Sequence, residues 1–277
     1  MSNLDPRLTP ARPDLAAEKL RGEVEAERFV AGATHHARIC TAIRFTPDAG
    51  AKQESQLLAG EPFTVYDVAD GWAWGQAELD DYVGYVAAAD LVAGEPSPTH
   101  RVDARTTHLY PAPDLKQPVV GHLGFASWVN VSDEDGGYCR TEYGWVFAKH
   151  LAPIDRPRPD PVATALQLMG VPYLWGGRSA DGIDCSGLVQ LSVQATGQWC
   201  PRDSDMQGAW LGEPVADLAS ARQGDVIGFN GHCGFLVGDQ QLLHANAFDM
   251  HVGLDLLKDV MTRAGEITAI RRPSPAP

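Results

Sequence analysis

The chain carries 277 residues and a formal net charge of −14 at pH 7, from 22 Lys and Arg against 36 Asp and Glu. That length exceeds a typical single domain and allows about two or three compact units, while the acidic balance excludes the clustered basic face of a nucleic-acid or anionic-surface binder. No stretch reaches the roughly 20 consecutive apolar residues that cross a bilayer, so a protein without nucleic-acid or membrane partners, acting on a small or zwitterionic substrate, is expected.

Residues 1–25 read as an extended arm, because Pro6, Pro10 and Pro13 stand among charges with little periodicity. The opening MSNLDPRLTPARPDLAAEKL lacks the basic start and apolar run, roughly 7–15 residues, of a secretory signal, which leads to the expectation of a cytoplasmic protein. From 26 to 155, short β-prone runs are broken by Gly, Pro and Asp. An internal repeat divides this region: YVGYVAAADL, ending at Leu91, aligns with EYGWVFAKHL, ending at Leu151, and pairs Gly84 with Gly144, Tyr85 with Trp145, Val86 with Val146 and Ala88 with Ala148. The two copies, 26–95 and 96–155, resemble small bacterial SH3-like β-barrels, whose last strands carry a Gly-aromatic-Val step before a short turn.

A Pro-rich link, IDRPRPDP, leads into residues 156–277, which read as an α+β unit. Asp160 and Pro161 supply the N-cap and first-turn proline of a helix with Val162, Leu166 and Met169 as its apolar stripe and Gly170 as its end. An extended run (171–175), a Gly-rich turn and a helix from about Cys185 to Ala195 follow. Next comes a polar stretch, 202–207, with Asp203 as a candidate helix cap, and then strands at 225–229, 232–237, 241–246 and 267–271. His232 opens a strand after the turn Asn230-Gly231, and Gly238-Asp239 is the expected hairpin turn before the strand that holds His244. Positions 232 and 244 are equidistant from Gly238, so a tight hairpin sets the two histidines opposite each other on one face.

The five cysteines, Cys40, Cys139, Cys185, Cys200 and Cys233, are odd in number, scattered and without a C-x-x-C pair, so free thiols are expected. A free cysteine is ordinarily a small buried hydrophobe, and Cys40, Cys139, Cys200 and Cys233 are read that way. Cys185 differs: it stands at a helix N-terminus, where unpaired N–H groups and the helix dipole stabilise a thiolate, and Asp184 before it can cap the helix. A zinc site built from Cys185, Cys200, His232 and His244, or from His35, His36 and Cys40, is the competing use of these residues, but the spacing fits no common zinc motif. Neither a metal nor a cofactor is expected.

The segment YLWGGRSADGIDCSGLVQ, followed in order by GHCGFLVGD and LLHANA, resembles the nucleophile, base and orienting-residue motifs of the NlpC-type cell-wall cysteine peptidases. The resemblance covers about residues 156–272 and implies a papain-like catalytic domain preceded by the SH3-like units. It implies Cys185 as nucleophile, His232 as general base and His244 as the group that fixes the base's tautomer, which is the arrangement nucleophilic catalysis needs. The backbone N–H of Cys185 and the hydroxyl of Tyr173 are the expected oxyanion donors. By the same resemblance Tyr173, Asp184, Ser186 and Ser204 line the acyl-side pocket of members that cleave γ-D-glutamyl bonds; Arg202, Asp203 and Gln207 share that motif context, against the alternative of a surface helix capped by Asp203.

Tyr82, near Trp74 and Asp81 in the first β unit, is a further pocket candidate against the alternative of ordinary barrel core. The function so implied is hydrolysis of the γ-D-glutamyl to L-diamino acid bond (diaminopimelate or lysine) in murein peptides with a free N-terminal L-Ala, in wall-peptide recycling. A thiol amidase or acyltransferase on the same scaffold, and a non-catalytic wall-binding protein, are the rivals.

Overall fold

The computed structural model describes residues 4–238 and 240–274. The chain forms two compact units that divide between Ile154 and Asp155, inside the Pro-rich link. In the first, the strands Gln53–Leu57, Thr41–Arg44, Val83–Ala87, Trp72–Ala77, Pro62–Ala69, Ala33–Ala37 and Leu91–Ala93 lie in that order in one seven-stranded antiparallel sheet. Alternation along Val83–Ala87 buries every second residue, as a half-covered strand requires. The buried positions gather Ala37, Ile43, Leu57, Phe63, Ala73 and Val86 into one core.

The N-terminal arm packs on this sheet's own unit. Leu8 packs against its core, the Arg7 carbonyl accepts from Val83 N, and the Arg12 guanidinium sits 4.4 Å from the centre of the Trp74 ring while bonding Asp67.

Residues 98–153 form shorter sheets around Val102, Leu109, Leu123, Val129 and Val146. Here the sequence repeat has a physical basis. In both copies a single 3-10 turn, Ala88–Asp90 or Ala148–His150, follows the Gly-aromatic-Val step and ends at a leucine with nearly the same backbone angles (φ −106°, ψ 146° at Leu91; φ −108°, ψ 148° at Leu151). Tyr85 pairs with Arg44 and Trp145 with Tyr110. The glycine before each aromatic lies where a Cβ would stand 2.9 Å from a carbonyl oxygen, Arg44 O for Gly84 and Tyr110 O for Gly144. The repeat preserves a close backbone crossing.

In the second unit, α1 (Pro161–Gln167) starts where expected, with Asp160 Oδ1 accepting from Val162 N at 2.8 Å. Its buried face differs from the expected stripe: Val162, Ala165 and Leu168 are buried, whereas Leu166 is 40% exposed. Spacings of 3 rather than 4 and 3 set the phase of this short helix, because its last turn tightens onto Leu168, whose N–H bonds Ala165 O. Then follow α2 (Cys185–Gln194), α3 (Ser204–Trp210), β1 (Val226–Phe229), β2 (His232–Val237), β3 (Gln241–Asn246), β4 (His251–Leu256), α4 (Leu257–Ala264) and β5 (Ala269–Arg272). The sheet runs Glu213–Pro214, β5, β1, β2, β3, β4, all antiparallel. α2 packs against β2 and β3, and α4 against β3 and β4. β4 and α4 were not expected from the sequence, where 251–264 shows neither clean alternation nor a capping signal.

Replacing Gly84 by Ala drives a methyl into Ile43 Cγ2 (2.5 Å) and Arg44 O (2.9 Å). We expect the first unit to lose about 1–3 kcal/mol, seen as a lower urea midpoint by Trp fluorescence of the full chain. An unmoved midpoint would show that the crossing has slack.

Candidate active site

The residues around α2 explain its motif one by one. Asp184 is the N-cap, its Oδ1 accepting from Gly187 N at 2.7 Å, while its Oδ2 accepts from Gly176 N at 2.8 Å. One carboxylate therefore ties the Gly-Gly turn to the helix start. A Cβ at Gly187 would stand 2.2 Å from Gly177 O, so the turn and the first helical turn touch backbone to backbone.

Arg202 closes the arrangement with two parallel bonds to Asp184, Nη1 to Oδ1 at 3.0 Å and Nη2 to Oδ2 at 2.6 Å, plus a third from Nη1 to Ser186 Oγ at 2.9 Å. Its side chain is 1% exposed. A capped surface helix is thus not what 202–207 forms: Gln207 is buried too, donating to Ser186 O and Pro201 O, both at 2.9 Å.

Cys185 is the first residue of α2 and is buried. Its ionisation is pulled down, first by hydrogen bonding to the Cys233 thiol and then by His232, against burial and the Asp184 charge, which push it up. Cys233 moves the other way, well up, first through hydrogen bonding to Cys185 and then through burial. Alternation along β2 turns it from the His232 side, on a strand that packs against α2. Its thiol donates to Gln207 Oε1 at 3.3 Å.

His232 and His244 meet through His232 Nε2 and His244 Nδ1, 2.7 Å apart. The register differs from the expected one: Leu236 pairs with Leu242 and Val237 with Gln241, so the hairpin centres on residue 239, and His244 falls opposite Gly234. Gly238 has φ 57°; Asp239, the other half of the expected turn, lies outside the described residues. The histidines are diagonal neighbours, which keeps them on one face because the shift is two residues. Gly234 makes room, since a Cβ there would stand 2.8 Å from His244 Cβ.

His244 is 1% exposed; burial, then the charge of His232, pushes its pKa down to about 4. It works as a neutral imidazole. Its Nε2 faces Asp255 Oδ2 at 3.3 Å and Asn246 Nδ2 at 3.4 Å, and Asp255 is ion-paired with Arg263.

The structure thus gathers Cys185, His232, His244, Asp184, Ser186 and Arg202 at one end of α2. Tyr173 is half-buried nearby, bridged to Ile183, and burial, then the charges of Cys185 and Asp184, raise its hydroxyl to about 12, so it stays a donor. Ser204 opens α3, half-buried, two residues from Arg202. Tyr82 belongs to the core of the first unit and is 3% exposed, and Trp74 is buried beside Arg12; for both, barrel packing is the role the fold gives. Sequence reasoning missed Asp255 and the contact between Cys233 and Gln207. For Cys233 the signal was available, since a residue adjacent to the base on a strand packed against the nucleophile's helix must turn toward one of them.

A thiol of lowered pKa at a helix N-terminus, its ionisation favoured by an imidazole that a second imidazole contacts, is the arrangement of a cysteine nucleophile on an α+β scaffold. Comparison with known proteins narrows the class. The family model described as "NlpC/P60 family" matches residues 170–270, and that described as "Bacterial dipeptidyl-peptidase Sh3 domain" matches 43–91. A "Gamma-D-glutamyl-L-lysine dipeptidyl-peptidase" of Bacillus cereus is 30% identical over 227 residues, 70% of this chain and 67% of that one. Its Bacillus subtilis namesake is 28% identical over 166 residues, 54% of this chain and 55% of the relative.

The Mycobacterium tuberculosis relative, named "Probable endopeptidase", is 38% identical over 94 residues, 33% of this chain and 24% of that protein. The matched part of the chain thus spans about half of the Bacillus subtilis relative and a quarter of the mycobacterial one. A crystal structure of an NlpC/P60 family protein from Bacillus cereus shares the fold, with a TM-score of 0.76 at 20% identity over 88% of this chain and 100% of that one. The chain belongs to the NlpC/P60 family of cysteine peptidases.

Two measurements check the site. Iodoacetamide at mildly acidic pH should label Cys185 ahead of Cys40, Cys139, Cys200 and Cys233, and Cys233→Val should slow that labelling about tenfold, the loss of about 1.4 kcal/mol of hydrogen bonding to an anion; equal labelling of all five thiols would remove the case for an activated Cys185. Arg202→Ala, which leaves the Asp184 charge buried, should cost about 3–5 kcal/mol of stability in urea unfolding, and a loss below 1 kcal/mol would show that Asp184 does not depend on it.

Proposed function

We propose that the protein is an endopeptidase that hydrolyses the γ-D-glutamyl to L-diamino acid bond of murein-derived peptides bearing a free N-terminal L-Ala, and that it serves wall-peptide recycling. The observation that carries this reading is the His232–His244 pair beside a Cys185 of lowered pKa, combined with the activity for which the two Bacillus relatives are named. In the proposed reaction the Cys185 thiolate attacks the γ-carbonyl carbon, the His232 imidazolium gives its proton to the departing amine as the C–N bond breaks, and a thioester remains. Water, deprotonated by His232, then attacks the thioester and returns the thiolate. The backbone N–H of Cys185 and the Tyr173 hydroxyl would hold the oxyanion.

Of the expected pocket residues, Tyr173 and Ser204 keep part of their surface exposed, and we assign them contact with the ligand. Asp184, Ser186 and Arg202, bound to one another, would form the pocket's floor. Tyr82 has no part in this assignment. We further read residues 26–95 and 96–155 as two SH3-like barrels, supported by the shared Gly-aromatic crossing, and the second unit as papain-like. A cytoplasmic setting fits five cysteines that are all free thiols.

The test is release of L-Ala-γ-D-Glu from L-Ala-γ-D-Glu-diaminopimelate and from its lysine counterpart, beside Cys185→Ala and beside N-acetylated substrates. Cleavage lost in the variant and with the blocked amine is the expected result. Cleavage of free and blocked peptides alike would replace recycling by action on polymeric wall. Products that incorporate an added amine in preference to water would make the protein a transferase, and no cleavage at all would overturn the reading.

A further inference from the structure

The imidazole pair leaves one question of proton position open, and the groups around His244 answer it. His232 uses Nε2 toward His244 Nδ1, which leaves its Nδ1 for the thiol. When the thiolate and imidazolium form, both nitrogens of His232 carry protons, so His244 Nδ1 must accept and its remaining proton must sit on Nε2. Two groups face that Nε2. Asn246 can offer only its amide N–H, because its Oδ1 is held by Phe248 N (3.0 Å) and Asp249 N (2.7 Å); that contact favours the wrong tautomer. Asp255 Oδ2, at 3.3 Å, offers an acceptor.

Burial opposes the Asp255 charge, yet Arg263 on α4 and then His244 hold its carboxyl below the usual range, so it is an anion at neutral pH. The other charged or titratable groups that act on His244 are His232 from β2 and Arg263 from α4.

We propose that Asp255 is a fourth, positioning member of the site, which fixes His244 as the neutral Nε2–H tautomer and, through it, stabilises the thiolate–imidazolium pair of Cys185 and His232. Asp255 touches no reacting atom; it acts by making His244 Nδ1 a better acceptor. The inference rests on the catalytic reading of these residues but not on any particular substrate.

The sign of the effect separates positioning from mere support of the fold. Asp255→Asn removes both the charge behind His244 and the ion pair with Arg263. Arg263→Gln removes the same ion pair but keeps the carboxylate, and it also takes away a positive charge that disfavours imidazolium. If Asp255 positions, the first variant weakens the thiolate–imidazolium pair and the second does not. If the ion pair only anchors α4 to β4, both variants change alike.

The experiment follows iodoacetamide labelling of Cys185 against pH in the purified full chain, read by peptide mass, with 15N-histidine spectra reporting the tautomer of His244. Asp255→Asn should slow labelling near pH 5 about tenfold, the low end of what losing a partner behind an imidazole costs, and should lower the Nε2–H fraction of His244. Arg263→Gln should label at least as fast as the natural chain, with the tautomer kept. Equal slowing in both variants, or an Asp255→Asn profile and spectrum that match the natural chain, would overturn the proposal. Neither readout needs a peptide substrate, so failure of the proposed peptidase activity would show itself separately.

Discussion

The buried contact between Asp184 and Arg202 is the constraint on which the rest of the site depends. Asp184 is needed where it stands: it caps α2, and it holds the Gly176 N–H so that the preceding turn lies against the helix start. The same carboxylate is adjacent to Cys185 and opposes its ionisation. A helix start that must present a thiolate thus begins with an anion that disfavours one. Arg202 reconciles the two demands by placing a planar cation across both carboxylate oxygens, with Ser186 taking a third bond. Two charges could not remain so buried without such pairing, and the capping function survives because the bonds from Arg202 come in addition to those from Gly176 and Gly187.

From this point outward, packing and chemistry are hard to separate. Gly177 and Gly187 are glycine because two backbone segments meet there, and Gly234 because the His244 side chain leans over it. Each would read in the sequence as a flexible position, yet each is a site of close approach. Mobility is not what these glycines supply; they let a carbonyl or an imidazole come nearer than a methyl would allow.

Much of this was legible before any coordinates. The caps of α1 and α2, the strands around 226–246 and the repeat between 82–91 and 142–151 follow from patterns whose physics is local: an N-cap followed by proline, alternation between turns, and an aromatic held by a glycine. What was not legible depends on registers and packing that no local pattern specifies. The hairpin centre lies at 239 rather than 238, which changes who faces His244 but not the side on which it lies. The phase of α1 follows from a tightened last turn. Cys233 was assigned an ordinary role because a side chain's neighbours across a helix–sheet contact are absent from its own sequence window, and the partners that Arg202 and Cys233 find, Asp184 and Gln207, lie more than fifteen positions away.

The order of charges through the site also has a physical logic. A carboxylate directly behind His232 would hold an imidazolium more strongly than an imidazole does, but that position is 1% exposed, and an anion there would need compensation as complete as Arg202 gives Asp184. The structure instead puts a group that burial keeps neutral, His244, in the dry position and moves the carboxylate one bond further out, to Asp255, whose side chain is 24% exposed and where Arg263 and solvent can share its charge. Desolvation weighs on the charged form in proportion to burial, so the neutral ring serves as a conductor of polarity from a place where a charge is tolerable to the place where it is useful.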